Sequence, residues 1–359
     1  MRMITVLLAC LVTGNLLHAA NVEWIHIADD GKSFVQRPSG RKFVPWGVNY
    51  DRDHKGRLLE DYWINEWPTV EQDFREMKQL GANVVRIHLQ FGKFMKSAAE
   101  ANEESLNQLQ RLVQLADDVG LYLDLTGLAC YHKRDVPAWY DQLDEPARWA
   151  AQAEFWRAVS KRCADQPAVF FYDLLNEPAV PRPDEKLDSW LFGEFFGKYY
   201  GQRIALETKQ RTRQEIVGAW IDQMVRAIRS QDKKHLITVG LLPPEFDSGF
   251  EPEQVAPHLD FLAVHVYPKA DKPAEALETV RRFKTDKLLI VEELFPLASS
   301  SDQALQFIED SRPYVSGWIS FYWGETPEEL AASQKPGREK QLEWLQKYME
   351  RGKTIREVN

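Results

Sequence analysis

The sequence is poor in cysteine and has no excess of basic residues. It contains 3 cysteines in 359 residues, and 45 Lys and Arg residues stand against 54 Asp and Glu residues, a formal net charge of -9. So few cysteines exclude a disulfide framework. A negatively charged chain offers no basic surface to phosphate backbones or anionic lipid, so we do not expect a nucleic-acid partner.

Long hydrophobic runs are also absent, because no segment supplies about 18 consecutive apolar residues, the length that a membrane span requires. Residues 1–20 instead have the layout of a secretory signal peptide, since Arg2 precedes an interrupted apolar stretch and small residues follow it. We therefore predict a signal peptide at 1–20, a mature domain at 21–359, and a secreted or periplasmic protein without a membrane span. Lipid anchoring at Cys10 remains an alternative.

One cycle recurs along the rest of the chain: a short apolar run, a loop, and then an amphipathic helix. Near-continuous apolar runs are typical of parallel strands that are covered on both faces. Eight such runs are present: Phe43 to Tyr50, Asn83 to Leu89, Leu121 to Gly127, Val169 to Asn176, Leu236 to Gly240, Phe261 to Tyr267, Lys287 to Glu293 and Gly317 to Trp323. Eight strands alternating with helices predict a closed barrel or a doubly wound sheet. No glycine fingerprint of a dinucleotide-binding sheet follows the first run, so we predict a single α/β domain with the (β/α)8 TIM barrel fold.

Two helix starts carry a local signal. Thr69 with Gln72, and Thr212 with Glu215, have the spacing of a capping box, in which each side chain bonds the backbone N–H of the other residue. Both pairs are predicted to begin helices of the scaffold and have no functional interpretation.

The functional residues of a TIM barrel lie at the carboxyl ends of its strands. Polar and aromatic side chains occupy most of these predicted ends, among them Asn49, Arg86, His88, Asn176, Glu177, His265, Tyr267, Glu293 and Trp323. Glu177 on the fourth strand and Glu293 on the seventh are predicted to face each other across the mouth. A packed interior does not tolerate carboxylates without a partner, so these two indicate a chemical task.

Paired carboxyl groups are what glycosidic cleavage requires. One, kept protonated, gives a proton to the leaving oxygen, while the other, ionised, attacks the anomeric carbon. Arg86 would favour the ionised form of the carboxylate beside it, and the apolar wall of Trp323 would raise the pKa of a carboxyl group that it covers. The pair therefore predicts a retaining glycoside hydrolase, whose carboxyl groups stand roughly 5 to 5.5 Å apart.

Three motifs carry a resemblance to a known family: Asp173-Leu174-Leu175-Asn176-Glu177-Pro178, His265-Val266-Tyr267 and Ile290-Val291-Glu292-Glu293-Leu294. In their order on the predicted strands they resemble glycoside hydrolase family 5, the cellulase family of clan A. The likeness covers nearly the whole mature chain and includes Gly47-Val48-Asn49, Asn83-Val84-Val85-Arg86-Ile87 and Gly317-Trp318-Ile319-Ser320-Phe321-Tyr322-Trp323.

The resemblance implies a role for each matching position. Glu177 would be the acid/base and Glu293 the nucleophile, and Asn176 would bond the 2-hydroxyl of the sugar being cleaved. The nucleophile would be held and oriented by Arg86 and Tyr267.

Two further positions follow from the same resemblance. His265 would contact the region of the acid/base, and Trp323 would form the floor on which the sugar ring stacks. For every one of these side chains except the two glutamates, a purely structural role remains an alternative.

The chain departs from the family pattern at two places. Adjacent strand residues face opposite ways, so only one of Glu292 and Glu293 is expected to point into the mouth. The pattern favours Glu293, yet Leu294-Phe295-Pro296 follows where Phe-Gly is usual, so Glu292 remains an alternative nucleophile. The third strand lacks the histidine with which many relatives end it. We predict that His132, from the following loop, and Asn49 of the first strand both contact substrate, although each also fits a structural role.

The segment 179–211 is too long for a simple loop between a strand and its helix, so we predict an enlarged loop after strand 4. It is rich in aromatic residues, namely Trp190, Phe192, Phe195, Phe196, Tyr199 and Tyr200. Aromatic faces stack on sugars, so these residues either line the cleft or pack a small core of their own.

The barrel also bears on the two cysteines of the mature chain. Cys130 would follow the third strand, and Cys163 would end a helix that runs to the opposite rim, so a disulfide between them is not expected. No Cys and His cluster has zinc spacing, and we expect neither a metal nor a cofactor.

Together these features predict hydrolysis of O-glycosidic bonds in a β-linked polysaccharide or oligosaccharide, by double displacement, by a monomer active in polysaccharide degradation. The resemblance favours an endo-β-1,4-glucanase. A β-mannanase or another β-glycosidase of the same family is the alternative, because outer loops set the substrate. A catalytically silent carbohydrate-binding barrel is the alternative from another class, against which the intact pair of glutamates argues.

Overall fold

A computed structural model describes residues 22–357 of the protein except 51, 54 and 196. Eight parallel strands pair in chain order, and the eighth pairs with the first to close a barrel. They are Trp46–Tyr50 (β1), Val84–Gln90 (β2), Tyr122–Ala129 (β3), Val169–Asn176 (β4), Leu236–Leu241 (β5), Leu262–His265 (β6), Leu289–Leu294 (β7) and Gly317–Trp323 (β8). The predicted (β/α)8 TIM barrel is confirmed.

Helices connect the strands and cover the outside of the barrel. The longer ones are Trp67–Leu80, Glu103–Val119, Glu145–Cys163, Arg213–Arg229, Pro273–Arg282, Ser301–Ser311 and Arg338–Glu357, and the shorter ones are Phe91–Phe94, Ala138–Asp141, Pro252–Val255 and Pro327–Ala332. Every residue of β2, β3 and β4 is buried, as expected for parallel strands with helices on one side and packed side chains on the other.

Local capping chemistry begins one of the two predicted helices. Thr212 accepts a hydrogen bond from the backbone N–H of Glu215, and the Glu215 side chain accepts one from Thr212, so this capping box is confirmed. The prediction of a capping box at Thr69 is wrong, because that helix begins earlier, at Trp67. Pro68 lies in the first turn, where a residue without an N–H is well suited.

The first strand begins at Trp46 instead of Phe43, because Phe43 belongs to another sheet. An antiparallel sheet precedes the barrel, with strands Trp24–Ile27, Phe34–Arg37 and Lys42–Phe43. Its Phe34 is completely buried and meets Phe170 and Phe261 edge-on, with ring centroids 5.2 and 5.4 Å apart. These two rings lie at the amino ends of β4 and β6, so the sheet closes the end of the barrel opposite the predicted mouth.

The enlarged loop after β4 forms a β-hairpin, the insertion hairpin, with strands Leu191–Phe195 and Lys198–Arg203. Its second strand also pairs with Pro178–Ala179, directly after β4. Trp190 is buried and donates from Nε1 to Asp141 Oδ1 at 2.8 Å, whereas Phe195 near the tip is 51% exposed. The aromatic residues of the segment therefore divide between packing and exposure.

Cys130 and Cys163 are buried free thiols, so the expectation that they do not pair is met. Among the described residues, no helix combines the length and the apolar character needed to cross a membrane. The predicted signal peptide at 1–20, with Cys10, lies outside the described residues.

Candidate active site

Arg86 of β2 lies at the centre of the barrel mouth and is completely buried. Its Nη1 donates to Glu293 Oε1 at 2.5 Å, and its Nε donates to Thr126 Oγ1 at 2.8 Å. Its Nη2 donates to Asp173 Oδ2 at 2.8 Å and to Asn176 Oδ1 at 2.9 Å. Burial acts to lower the pKa of Arg86, but the surrounding carboxylates raise it well above its ordinary value. The charged guanidinium therefore holds together side chains from three other strands, β3, β4 and β7.

Glu177 and Glu293 face each other beside this arginine. One carboxylate oxygen of each lies within 4.8 Å of the other, and a ring nitrogen of His265 lies within the same distance of both. The two glutamates are 6% and 5% exposed. This upper limit is well below the roughly 6.5 to 9.5 Å of inverting enzymes and fits retaining glycosidases, whose carboxyl groups are roughly 5 to 5.5 Å apart.

Glu177 has a left-handed backbone conformation, with φ at 49°. For a residue with a side chain this conformation costs about 1 to 2 kcal/mol, and such strain concentrates at functional sites. The N–H of Glu177 donates to the carbonyl of Gly240 on β5 at 2.9 Å, which holds the conformation in place. Burial raises the pKa of the Glu177 carboxyl group, although a hydrogen bond from His265 acts to lower it. A raised pKa favours the protonated form that a general acid needs.

His265 of β6 links Glu177 to the seventh strand. Its Nδ1 lies 2.7 Å from Glu177 Oε1, and its Nε2 lies 3.4 Å from Glu292 Oε2. Burial acts to lower the pKa of His265, but Glu293 and the two bonded carboxyl groups raise it to about 10. The ring is therefore an imidazolium that donates from both nitrogens. Gly240 leaves the space for it, since a Cβ there would lie 3.0 Å from Nε2.

Tyr267, which follows β6, donates a hydrogen bond from its hydroxyl group to Glu293 Oε2. Its ring meets Phe321 of β8 edge-on, with centroids 6.4 Å apart. With Arg86 on Oε1 and Tyr267 on Oε2, both oxygens of Glu293 accept hydrogen bonds from donors on rigid elements. The orientation of this carboxylate is thereby fixed.

Glu292 and Glu293 both face the barrel interior, which corrects the expectation that these neighbours face opposite ways, but only Glu293 lies at the mouth. The pairing of β7 with β6 shifts between Val264 and His265, so that Glu292 is left without a partner in the ladder. Such a β-bulge breaks the two-residue alternation of a strand. Glu292 is completely buried, 3.7 Å from Arg86 Nη2, whereas Glu293 lies at the mouth.

Asn49 of β1 is completely buried, which differs from its expected place on the substrate surface. Its Oδ1 accepts from Arg86 Nη1 at 3.0 Å, and its Nδ2 donates to the carbonyl groups of Glu292 and Ser320 at 3.1 and 3.3 Å. His88 of β2, 6% exposed, lies 3.2 Å from the same Oδ1. The Asn49 side chain therefore hydrogen-bonds to residues inside the barrel and helps to position Arg86.

Asn176 and Trp323 lie at the mouth and are closely covered, with exposures of 3% and 1%. Asn176 Nδ2 donates to the carbonyl of Tyr200 on the insertion hairpin at 2.7 Å. Trp323 ends β8 and pairs with Tyr50 of β1. Burial raises the pKa of the Tyr200 phenol, and the phenol lies close enough to Glu177 for that carboxylate to raise it further. The insertion hairpin therefore forms a wall of the site.

His132 is brought to the insertion hairpin instead of to the glutamates. It lies half-buried in the loop after β3, and its Nδ1 is 3.3 Å from the carbonyl of Gly197 at the hairpin turn. The same loop is held to the hairpin by a hydrogen bond from the N–H of Tyr199 to the carbonyl of Tyr131 at 2.8 Å. The Tyr131 hydroxyl group in turn bonds to His88 Nδ1.

Sequence reasoning missed the contribution of β3 to the site. Thr126 Oγ1 donates to Asp173 Oδ2 at 2.8 Å while it accepts from Arg86. Asp124 Oδ2 lies 3.4 Å from Arg86 Nε. Asp124 and Thr126 are two positions apart, so strand alternation places both on the inner face. That spacing is the available signal in the sequence, and it lies within the strand, before the carboxyl end where site residues are expected.

A family model described as Cellulase (glycosyl hydrolase family 5) matches residues 47–342 of the chain, a range that contains both glutamates. The chain belongs to glycoside hydrolase family 5. The resemblance found in the sequence is thus confirmed, and this family 5 protein is a glycoside hydrolase.

Three solved structures illustrate the similarity of fold. The exo-β-1,4-mannosidase Op5Man5 from Opitutaceae bacterium strain TAV5 has a TM-score of 0.69 at 17% identity, over 93% of this chain and 63% of that chain. GH5_18 from Bifidobacterium longum has a TM-score of 0.64 at 15% identity, over 87% of this chain and 79% of that chain. The β-1,4-mannanase of the sea hare Aplysia kurodai has a TM-score of 0.61 at 14% identity, over 90% of this chain and 96% of that chain.

At these identities the structural similarity shows a shared fold and no more. The chain spans 63% of the length of the exo-mannosidase, so that protein has additional regions. A comparison with curated proteins found no match.

Proposed function

We propose that this family 5 protein is a retaining β-glycosidase that hydrolyses β-1,4-mannosidic bonds, with Glu177 as acid/base and Glu293 as nucleophile. The observation that carries the proposal is the separation of the two carboxyl groups, whose nearest oxygens lie within 4.8 Å. An inverting enzyme needs a wider gap to hold its attacking water molecule. The short distance here suits direct attack by one carboxylate on the sugar.

The environments of the two glutamates support different roles. Burial raises the pKa of Glu177, so this carboxyl group is suited to give a proton to the leaving oxygen. Glu293 accepts hydrogen bonds from Arg86 and Tyr267 on its two oxygens, as an ionised nucleophile should. In the first step Glu293 would attack the anomeric carbon while Glu177 protonates the departing oxygen. In the second step Glu177, now ionised, would take a proton from water, which attacks the same carbon and releases Glu293.

Substrate contacts follow from the side chains that surround the pair. An amide nitrogen carries two hydrogens, and Asn176 directs one of them to the carbonyl of Tyr200. We assign the other to the 2-hydroxyl of the sugar in the cleavage subsite. Trp323, at the end of β8, remains our proposal for the ring on which that sugar stacks.

The choice of mannoside over glucan rests on the similar structures. The endo-β-1,4-glucanase favoured by the sequence has less support, since two of the three similar structures are named as an exo-β-1,4-mannosidase and a β-1,4-mannanase. A glucanase therefore stands as the second candidate. Export through a signal peptide at 1–20 is part of the same proposal, and amino-terminal sequencing of protein recovered from the medium or periplasm tests it.

The proposal is tested with linear mannan, mannohexaose, carboxymethylcellulose and cellohexaose, with product sizing and anomeric NMR at early times. We expect mannosidic bonds to be cleaved with the β-anomer as first product. Glu177→Gln and Glu293→Gln should each lose activity by about 10²- to 10⁴-fold, whereas the control Glu350→Gln, exposed on the helix Arg338–Glu357, keeps it. Cleavage of glucans alone would favour the second candidate, and binding without cleavage of any glycan would favour a carbohydrate-binding barrel.

The two roles are separated by small-nucleophile rescue of alanine variants. Azide should rescue Glu293→Ala to give the α-glycosyl azide in one displacement. The same reagent should rescue Glu177→Ala to give the β-azide, because the nucleophile and its covalent intermediate remain intact. The opposite pattern of anomers would reverse the assignment.

A further inference from the structure

Behind the catalytic pair lies a second group of acids that the proposed reaction does not use. Asp124 of β3, Asp173 of β4 and Glu292 of β7 are all completely buried. One oxygen of each lies within 4.8 Å of the others. Arg86 is the cation among them, with Nε 3.4 Å from Asp124 Oδ2 and Nη2 2.8 Å from Asp173 Oδ2.

The three acids differ in how well their oxygens are satisfied. Asp173 accepts hydrogen bonds from Arg86, Thr126 and the N–H of Gly240. Three of the other oxygens have no hydrogen-bond partner among the described residues, namely both oxygens of Asp124 and Oε1 of Glu292. The Asp124 and Glu292 carboxyl groups nevertheless lie side by side, with one oxygen of each within 4.8 Å of the other. Buried carboxylates that carry no hydrogen bond are strongly unfavourable, so two of them side by side call for a proton between them.

The charges of the whole cluster lead to the same requirement. Two cations, Arg86 and the imidazolium of His265, face four carboxyl groups on three strands, namely Asp124, Asp173, Glu292 and Glu293. Glu177 adds a fifth acid on the far side of His265. Full ionisation of the four would leave two uncompensated negative charges in a space without solvent, and one protonated acid reduces this excess.

We infer that Asp124 carries a proton at neutral pH and donates it to Glu292, and that this neutral acid is a positioning residue for the pair of Arg86 and Glu293. Glu292 then accepts from Asp124 on one side and faces His265 on the other, which makes it the better-stabilised anion of the two. Arg86, 3.4 Å from Asp124, keeps its shortest hydrogen bond for Glu293.

The direction of the pKa values agrees with this geometry. Burial, reinforced by Glu292, raises the pKa of Asp124 well above its ordinary value, although Arg86 acts to lower it. Burial acts to raise the pKa of Glu292 as well, but Arg86 and His265 outweigh it and lower the value. The proton therefore belongs to Asp124 and not to Glu292.

The inference is tested without substrate, by denaturant unfolding of wild type and Asp124→Asn as a function of pH. Unfolded Asp releases its proton above about pH 4, whereas the folded wild type keeps it. The folding equilibrium constant of Asp124→Asn should therefore rise relative to that of wild type by about tenfold per pH unit between about pH 5 and 7. An exposed control, Asp188→Asn, should show no such slope. A flat difference for Asp124→Asn would overturn the inference.

A second measurement on the wild type covers the case in which Asp124→Asn fails to fold. With aspartate labelled by ¹³C at Cγ, one resonance should remain at the protonated position at pH 7. It should move to the ionised position in Glu292→Gln, because a neutral amide donor replaces the anion beside Asp124. Absence of any protonated aspartate at pH 7 would contradict the inference.

The functional half of the inference rests on the proposed function, and kinetics test it separately. Asp124→Ala, which removes the donor, should lower kcat/KM about tenfold or more, whereas the conservative Asp124→Asn should restore most of it, because the amide still donates to Glu292. Equal kcat/KM in the alanine and asparagine variants would overturn the positioning role. A protein inactive on every glycan would leave both proton measurements intact.

Discussion

At the scale of single residues, His265 sets the proton affinity of the proposed acid. Its imidazolium bonds to Glu177 and acts to lower the pKa of that carboxyl group, against the effect of burial. In His265→Gln we therefore expect a higher pKa for Glu177. Since a general acid works in its protonated form, the alkaline limb of the pH profile of kcat/KM should move to higher pH while the maximum falls. The measurement is the pH profile of kcat/KM for His265→Gln and for the remote control His258→Gln. An alkaline limb that stays in place in His265→Gln would be inconsistent with this role.

Tyr267 acts on the other member of the pair. Its hydroxyl group is one of two donors to Glu293, and a hydrogen bond to a charged group contributes about 1.5 to 3 kcal/mol. Tyr267→Phe should therefore lower kcat by about 10- to 100-fold while KM changes little, because the bond aims the nucleophile and leaves the sugar contacts alone. Steady-state kinetics measure the split. A change confined to KM would assign Tyr267 to substrate binding.

At the scale of elements, the insertion hairpin depends on two rings that each lie over a glycine of the opposite strand. A Cβ on Gly193 would lie 2.2 Å from the ring of Tyr200, and one on Gly201 would lie 2.4 Å from the ring of Phe192. Tyr200 in turn holds Asn176 through its carbonyl group. The packing of this hairpin is thereby connected to the proposed subsite.

Gly193→Ala tests that connection. Gly193 and the control Gly197 both have a positive φ, at 69° and 75°, but a Cβ on Gly197 would meet nothing within 4 Å. Each alanine should cost about 1 to 2 kcal/mol for the backbone conformation, and Gly193→Ala a further 1 to 3 kcal/mol, roughly, for displacing Tyr200. We expect kcat/KM to fall about tenfold or more in Gly193→Ala only. Equal kinetics in the two variants would separate the hairpin from the site.

At the scale of the whole molecule, the two ends of the barrel serve different purposes. The mouth holds the charged cluster, whereas the opposite end is closed by the antiparallel sheet through Phe34. Phe34→Ala should lower the free energy of unfolding by about 3 to 5 kcal/mol and leave kcat/KM of the folded protein unchanged. Denaturant unfolding and kinetics measure both, with the 55% exposed Phe246→Ala as control. Lost activity in folded Phe34→Ala would show that the two ends are coupled.

Much of the barrel could be predicted because its signals are local. The strands Val169–Asn176 and Gly317–Trp323 have the bounds that the apolar pattern predicts, since parallel strands bury both faces. Phe43 was assigned to the wrong strand because its apolar run continues from one sheet into the next, and nothing local marks the boundary. At Thr69 the capping signal was outweighed by Pro68, which allowed the helix to begin earlier.

By itself, the sequence determined the family, the barrel and the positions of the polar strand ends, because each of these is encoded in short motifs and in the periodicity of apolar residues. Tertiary structure alone decided that a bulge turns both Glu292 and Glu293 inward, that Asn49 is buried under Arg86, and that His132 meets the hairpin. Strand register, burial and the neighbours of a charge depend on segments far apart in the chain. No local pattern contains that information.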